Sequence, residues 1–571
     1  FGGQHSFKVG YELGKIKNTV SQGYVNTGIV TLQYGRDFNF YGVSGSCAAI
    51  PNCIGIGRMQ RFGTQGVASN KTQSIYFQDQ WKPVSNLSLN LGVRLESENL
   101  PGFNTGSGNV GVPINLGWGD KIAPRLGASF DPFKDGKTKI FGSFGLFYDR
   151  LKFELPRGSF GGDFFRRDYF PILSTNPEYS YYTPARIIGN FTDPVGGGNP
   201  STAGGLSIFQ SDFRIPSNLP ASTYANLGLP LGAVDPDLKA FRQSEFTVGF
   251  QRELNKEFVF SARYTRKNVD HTIEDQANLG FFEAESYIIG NAGEGLAYET
   301  RKAAGVVKQT TAQRLYNALE VVLTKRLSNN FYFNANYTLS SLYGNYSGLA
   351  SSDEVSATTG LGRTSPGVNR FFDYAINGFT ATGEKDNGRL ASDRPHVFNA
   401  FGGYSFDWWK SKTNSTDFSI FTSIMSGTPQ TTFVGVVATS IPLSRRGDLG
   451  RTETFSQTDF SISHKYKFGR DDRFKIVFDV NFSNLFNENN VIALNTTRYI
   501  NRNSIAGEDI DPLYDPSNQT LIPILNQVLN GQIGSQLADL ENEAGNISVL
   551  HGKPSRYQAA RNVRFGFRFI F

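Results

Sequence analysis

The stretch from Val563 to Phe571, VRFGFRFIF, ends the chain on a strict alternation. One set of positions is wholly apolar: Val563, Phe565, Phe567, Phe569 and Phe571. Because successive side chains of a strand point to opposite faces, this segment would carry one continuous aromatic face. A strand of an outer-membrane barrel has this pattern, since its lipid face is apolar and its lumen face is polar. A core strand of a soluble sandwich is the alternative.

The composition favours strands and gives no support for transmembrane helices or for nucleic-acid binding. The 571 residues include 49 Phe and 25 Tyr, which are typical of strands and membrane interfaces. Mean hydropathy is -0.32, and no run approaches the roughly 18 apolar residues of a transmembrane helix. The formal charge of +6 is dispersed, without a basic tract. Nucleic-acid binding therefore has no support, and any membrane segment must come from alternating strands.

Segments with one apolar and one polar face recur along the whole chain. Each has roughly the length of a tilted membrane strand, about 9 to 11 residues. We predict about fifteen such strands, at 4–16, 24–38, 72–82, 86–98, 121–131, 138–150, 243–254, 257–267, 313–327, 331–343, 394–407, 416–426, 457–468, 473–485 and 559–571.

The connections between these strands alternate between short and long. A short turn joins the members of each pair, and Asp131-Pro132-Phe133-Lys134-Asp135-Gly136 is a strong example. The long connections are 39–71, 99–120, 151–242, 268–312, 344–393, 427–456 and 486–558. Outer-membrane barrels have short periplasmic turns and long extracellular loops, whereas a sandwich does not separate the two classes. The sequence therefore predicts an all-β fold, a transmembrane antiparallel β-barrel in the outer membrane.

Strand parity predicts that this barrel is partial. With 4–16 leading into a short turn, the first and last strands would both run toward the periplasm, giving an odd count. Bacterial single-chain barrels have even counts, and a plugged barrel has about 22 strands. We therefore predict that residues 1–571 are the C-terminal part of one barrel domain, with the plug and the early strands absent. The start at Phe1, without a signal peptide, agrees with this expectation.

Two cysteines form a candidate disulfide. Cys47 and Cys53 lie close together in the Gly- and Ser-rich segment GVSGSCAAIPNCIGIG. Such a pair can close a small loop in an oxidising compartment, and two free thiols are the alternative.

The sequence carries no pattern of catalytic residues. It lacks GxSxG and HExxH motifs, and its five His residues are dispersed. GxGxxG at 106–111 opens no helix, so we expect neither nucleotide binding nor any other cofactor. The acidic loop residues Glu508, Asp509, Asp511 and Asp515 could bind calcium, but solvated charge is the commoner role. We therefore predict no enzyme and no metal site.

Two further patterns point to the ends of the barrel. Residues 521–543 change to helical spacing, with Gly531 and Gly534 as interruptions, and predict a loop helix that packs on the barrel mouth. A helix that binds a partner is the alternative. Trp81, Trp408 and Trp409 fall beside short turns, where an interfacial aromatic girdle would lie. Ordinary aromatic residues at strand ends are the alternative for these three.

Several segments in order resemble the Oar-like TonB-dependent receptors. They include FQDQWK at 77–82, YNALEVVLTKRLSNNFYFNANYTLS at 316–340, SDRPHVFNAFGGYSF at 392–406 and FDVNFSNLFNENN at 478–490, together with the terminal FGFRFIF. The resemblance spans most of the chain. It implies a plugged barrel of 22 strands, energised from the inner membrane through TonB. It also implies that Phe565, Phe567, Phe569 and Phe571 form the signal read by the barrel assembly machinery.

The resemblance makes nutrient transport across the outer membrane the expected function. Its partners would be outer-membrane lipid, the TonB complex, the barrel assembly machinery and a small ligand of unknown identity. The extracellular loops would capture the ligand. A non-transporting surface protein, an adhesin or an assembly subunit, is the alternative, and a porin is a third possibility.

Overall fold

A computed structural model describes most of the chain. The described residues are 2–23, 29–34, 38–40, 43–45, 51–101, 114–151, 153, 163–174, 233–278, 286–347, 372, 374–410, 413–436, 439–500 and 522–571.

The described chain consists mainly of strands. In chain order the first thirteen are β1 (Gln4–Gly23), β2 (Ile29–Tyr34), β3 (Phe38–Phe40), β4 (Val43–Gly45), β5 (Cys53–Val84), β6 (Leu87–Leu100), β7 (Ile114–Phe130), β8 (Thr138–Tyr148), β9 (Asp163–Leu173), β10 (Ala233–Val234), β11 (Arg242–Glu253), β12 (Phe258–His271) and β13 (Glu274–Asn278). The others are β14 (Ser286–Gly290), β15 (Arg314–Ser328), β16 (Phe331–Gly344), β17 (Gly388–Arg389), β18 (His396–Asp407), β19 (Asn414–Met425), β20 (Phe433–Val436), β21 (Thr439–Pro442), β22 (Phe455–Phe468), β23 (Phe474–Ser483), β24 (Val491–Leu494), β25 (Pro554–Tyr557) and β26 (Asn562–Ile570).

Three α-helices lie in the loops of the described chain. They are α1 (Gly295–Ala303), α2 (Ile522–Leu529) and α3 (Gly534–Asn542). None of the described helices has the length and apolarity needed to cross a membrane. The helical spacing predicted at 521–543 corresponds to two short helices, α2 and α3. The break between them contains Gly531.

One sheet, with 17 strands in the described part of the chain, forms the wall of the molecule. Fourteen of its strands pair antiparallel with their neighbours in the order β1, β5, β6, β7, β8, β11, β12, β15, β16, β18, β19, β22, β23, β26. The other three, β2, β9 and β17, pair beside the ends of these strands. The predicted all-β antiparallel fold is confirmed.

The two faces of the wall differ as the alternation predicts. Phe478 and Phe567 are partners in register and remain 46% and 67% exposed, so they belong to the outer face. On the opposite face, Arg568 donates from Nη2 to Asp479 Oδ2 over 2.9 Å. An exposed aromatic face is stable only against lipid, whereas the ion pair suits a lumen that contains water.

Short turns close one end of the wall. In the turn between β7 and β8, Asp131 accepts from the backbone N–H groups of Phe133 (3.2 Å), Lys134 (3.1 Å) and Gly136 (2.8 Å). Gly136 has φ +70°, a conformation that glycine adopts without strain. The predicted turn is confirmed, and the long connections start at the opposite end.

The structure corrects the prediction for residues 24–38 and 39–71. We expected a hairpin of 4–16 with 24–38, but β1 pairs with Gly63 to Lys82 of β5 and β2 pairs with Gly55 to Gln60 of the same strand. Both run antiparallel to β5, so the chain keeps its direction from β1 to β2. The predicted loop 39–71 is also wrong in part, because β5 starts at Cys53 and has 32 residues.

The parity prediction is therefore wrong as well. Gln4 pairs with Lys82, beside the short turn, so β1 starts at the short-turn end and runs away from it. The fourteen wall strands found among the described residues are an even number. In the described part of the chain β1 pairs with β5 and β26 pairs with β23, and no pairing joins β1 to β26. That residues 1–571 form the C-terminal part of a larger barrel domain stays a prediction.

Candidate functional site

The inner face of the wall is lined by charged pairs. Arg263 on β12 donates to Glu320 on β15 over 2.9 Å, and Lys267 on β12 lies 3.1 Å from Glu245 on β11. These side chains are between about one quarter and one half exposed, so each pair keeps contact with water and adds little to stability. The inner face therefore offers a polar surface along which a hydrophilic solute can move.

The long loops beyond β12 fold together into one compact unit. We call it the loop platform and define it by its shared hydrophobic core: Val306, Tyr374, Ala375, Ile376, Phe379, Ala381, Val434, Val436, Ile441, Tyr499, Ile524, Leu525, Val528, Leu529, Ile533 and Leu540. These residues come from four different connections, so burial of their side chains holds the four loops in a common arrangement.

Helix α2 is the centre of the loop platform. Its apolar face is buried through Ile524, Leu525, Val528 and Leu529. On its polar side, Asn526 accepts from the N–H of Val307 (3.0 Å) and donates to the carbonyl of Gly305 (2.9 Å). The prediction that this segment packs on the barrel mouth is consistent with these contacts.

A close backbone approach holds α2 against the loop between β16 and β18. Gly531 has φ +69°, and a Cβ there would lie 2.4 Å from the carbonyl oxygen of Thr382. Any side chain at this position would therefore be strained and would also clash with backbone. Glycine is required at the end of α2 for this packing.

Two arginine–aspartate pairs with buried carboxylates connect the loop platform to the long-loop end of the wall. Arg446 donates from Nη2 to Asp386 Oδ2 over 2.9 Å, and both side chains are almost fully buried. Arg451 pairs with Asp393, whose side chain is wholly buried, and also donates to the carbonyl of Gly427 over 2.9 Å. Because a buried charge without its partner is strongly destabilising, these pairs hold the loops against the ends of the wall strands.

A recess of about 480 Å³ lies on the inner face, near the long-loop ends of β11, β12, β15, β16 and β18. We call it the upper recess and define it by its lining residues: Gln243, Lys267, Val269, Arg314, Tyr316, Thr338, Ser340, Leu342, Ser392, Arg394 and Val397. Hydroxyl groups and three cations dominate this lining. Its volume lies within the range of pockets that bind small molecules, about 300 to 1,000 Å³.

Comparison with known protein families identifies the family to which this β-sheet wall belongs. The family described as outer membrane beta barrel domain matches residues 1–443, which is most of the chain. The chain belongs to this outer-membrane β-barrel family. Its location in the outer membrane, predicted from the aromatic alternation, is confirmed.

A curated relative of this outer-membrane barrel is the TonB-dependent transporter Oar from Myxococcus xanthus. The two are 26% identical over 584 residues, an alignment that covers 100% of this chain and 49% of Oar. The resemblance to Oar-like receptors is thus confirmed, and this transporter family is non-enzymatic. The chain spans about half the length of this relative.

Solved structures of other transporters resemble the barrel more distantly. The outer membrane transporter YddB from Escherichia coli is 10% identical, with a TM-score of 0.40, over 86% of this chain and 52% of YddB. The ferric-catecholate import receptor Fiu from E. coli K12 is 11% identical, with a TM-score of 0.37, over 86% of this chain and 52% of Fiu.

A second charged group of the barrel's loop platform surrounds Tyr499. Its hydroxyl donates to Glu541 over 2.8 Å, and the Arg498 guanidinium donates to both oxygens of Glu541, over 2.7 and 2.8 Å. Burial and then the hydrogen bond to Glu541 raise the pKa of Tyr499 to about 12. The hydrogen bond from Arg498 is the main reason that the pKa of Glu541 lies below its usual range.

These pKa shifts predict how the stability of the loop platform depends on pH. A raised pKa of Tyr499 stabilises the folded platform below pH 10, and this contribution is lost as the pH rises toward 12. Tyr499→Phe should therefore destabilise the platform at pH 8 by about 1.5 to 3 kcal/mol, with a smaller difference from wild type at pH 11. Protease resistance of 522–550 at the two pH values measures this. Tyr557→Phe, at a half-exposed tyrosine, is the control. A difference that does not change with pH would contradict the assignment.

The predicted aromatic residues of the barrel lie where the alternation put them. Phe565, Phe567, Phe569 and Phe571 are 69%, 67%, 47% and 84% exposed. Their role as an assembly signal stays a prediction.

The three predicted girdle residues lie at the short-turn end. Trp81 is near the end of β5, and its indole N–H donates to the Gly2 carbonyl over 3.0 Å. Trp408 and Trp409 directly follow β18 and are 40% and 82% exposed. Their role at the membrane interface stays a prediction.

The remaining site predictions fall partly outside the described residues. Cys53 is in a disulfide bond, but Cys47 is not among the described residues, so the pairing of Cys47 with Cys53 stays a prediction. The glycine motif at 106–111 and the acidic run of Glu508, Asp509, Asp511 and Asp515 lie outside them too. Within the described part of the chain, no group of three or more His, Cys, Asp or Glu could hold a metal ion.

Sequence reasoning missed the upper recess and most of the loop platform. The recess takes its lining from five strands and from Ser392 and Arg394 at the end of a loop. The sequence indicates the recess only weakly. Each strand has a polar or basic residue on its inner face, close to its long-loop end.

Proposed function

We propose that this chain forms the wall and the extracellular loops of a TonB-dependent outer-membrane transporter. The observation that carries the proposal is the loop platform, a folded unit with its own core, held beside a polar inner face that contains the upper recess. Such an arrangement suits capture of a solute at the loops and its passage along the lumen. The relationship to Oar over the full length of this chain supports the same function.

The mechanism involves binding and movement but no covalent chemistry. The platform captures the ligand, a plug domain rearranges, and the ligand passes along the inner face. The energy comes from the TonB complex, which is a proposed partner together with the barrel assembly machinery and outer-membrane lipid.

A comparison of culture media tests transport of a ligand whose identity is still open. Three strains are grown in the same medium: wild type, a strain without this protein and a strain without TonB. We expect at least one small solute to remain in the medium of both mutants and to be consumed by the wild type. A solute that depends on this protein but not on TonB would indicate a porin and would contradict the proposal.

A surface-contact function is the second candidate, because β5 extends far beyond the membrane. Its 32 residues are about three times the 9 to 11 that a tilted membrane strand needs. β2 and β9 pair with its upper part, so a three-stranded ribbon projects from the wall. Normal solute consumption combined with lost adhesion in the strain without this protein would favour this second function.

A further inference from the structure

The lining of the upper recess carries an excess of positive charge. Lys267, Arg314 and Arg394 line it, and none of the described residues in the lining is a carboxylate. Glu245, just outside the lining, lies 3.1 Å from Lys267 and balances part of that lysine's charge. The lining itself therefore favours a negatively charged group in the recess.

Hydrogen bonds hold the two guanidinium groups in place. Arg394 donates from Nη1 to the carbonyl of Ser426 over 2.6 Å, and Arg314 donates from Nη1 to the carbonyl of Ser347 over 3.0 Å. The carbonyl of Ser426 orients the Arg394 guanidinium without cancelling its charge. A guanidinium carries five N–H donors, so Arg394 can bind a ligand while it keeps its bond to Ser426.

Charges of both signs lie near Arg394, because the neighbouring Arg451 pairs with the buried Asp393. The Arg394 guanidinium is partly buried, and burial lowers its pKa below the usual value. The nearby positive charge of Arg451 lowers the pKa further. An anion placed beside Arg394 would offset the repulsion from Arg451 and favour the charged form of Arg394.

We propose that the upper recess binds a small organic anion through a carboxylate or phosphate group. Arg394 and Lys267 would hold the oxyanion with support from Arg314, since guanidinium and ammonium groups form the strongest hydrogen bonds to such groups. The hydroxyls of Tyr316, Thr338 and Ser340 would contact polar groups on the rest of the ligand. This inference rests on the proposed transport function, because it places a ligand class on the route of the solute.

Three sugars with the same ring separate the contributions to binding. Glucose is neutral, glucuronate carries a carboxylate, and glucose 6-phosphate carries a phosphate. Each is titrated into the purified full-length protein in detergent at low salt, and the heat of binding is measured. We expect both anions to bind and glucose to bind at least tenfold more weakly, with weaker anion binding at high salt. Preference for one anion over the other would identify the oxyanion.

Two substitutions with opposite expected signs distinguish charge from structure. Lys267→Gln removes a cation from the recess, and we expect it to weaken anion binding by about tenfold. Glu245→Gln removes the neighbouring acid, and we expect it to strengthen anion binding. Lys137→Gln changes an exposed lysine at the opposite end of the wall and should leave binding unchanged.

Equal binding of the three sugars, or no binding of either anion, would overturn the proposal. Weaker binding in both Lys267→Gln and Glu245→Gln would do so too, because it would point to a structural effect. These binding measurements do not depend on TonB. Transport can therefore fail in the culture test while anion binding holds, and the reverse outcome is equally distinguishable.

Discussion

Glu98→Ala should lower the free energy of unfolding of the barrel by about 3 to 5 kcal/mol. Glu98 on β6 and Lys121 on β7 form an ion pair in which both side chains are 2% exposed. Glu98 also accepts from Asn70 and from the N–H of Leu151, over 3.0 Å in the latter case. Its removal leaves a buried ammonium that still donates to the carbonyl of Asp149 but has lost its counter-charge. Urea unfolding in lipid vesicles measures the loss.

Two further variants test whether the unpaired charge is the cause. Glu12→Ala breaks a pair with Arg94 in which Glu12 is 59% exposed, and it should have a much smaller effect on stability. A double variant, Glu98→Met with Lys121→Met, removes both charges and should recover most of the loss. If the double variant were as unstable as Glu98→Ala, lost packing rather than the unpaired charge would explain the effect.

Leu525→Ala should unfold the loop platform locally while the wall stays intact. Leu525 on α2 is fully buried in the platform core, and truncation of a buried leucine costs about 2 to 5 kcal/mol. The platform is held by loop contacts, whereas the wall is held by strand pairing, so the two should separate energetically. We expect faster proteolysis and hydrogen exchange of 522–550, with an unchanged shift of the folded barrel in unheated gels.

The control for this prediction is a leucine in the same connection. Leu550 is 58% exposed, so Leu550→Ala should leave proteolysis of the platform unchanged. Loss of the folded-barrel shift in Leu525→Ala would show that the platform and the wall unfold as one unit and would contradict the prediction.

The wall could be predicted where each strand carries its own two-faced pattern. The predicted segment 86–98 corresponds to β6, at Leu87–Leu100, and 331–343 corresponds to β16, at Phe331–Gly344. The prediction failed at 24–38. A polar stretch in a chain that keeps its direction looks the same in the sequence as a hairpin turn, because the sequence does not show the partner strand. Only pairing with β5 distinguishes the two.

The candidate site was harder to predict than the wall. The upper recess depends on which strand ends lie side by side, and its cations are separated by long stretches of sequence. Lys267 and Arg394, for example, are separated along the chain by two long loops and by the hairpin of β15 and β16. Single-residue patterns do not carry this information, because a basic residue on an inner face is common in any barrel.

The sequence by itself determined the outer-membrane barrel, its long and short connections and the helical break at 521–543. These features are local, since alternation, turn residues and helical spacing act within about ten residues. Only the tertiary structure decided the 32-residue length of β5, the even number of wall strands in the described chain and the joining of four loops into one platform. The physical reason is that strand register and loop burial depend on contacts between distant residues, which a local pattern allows but does not specify.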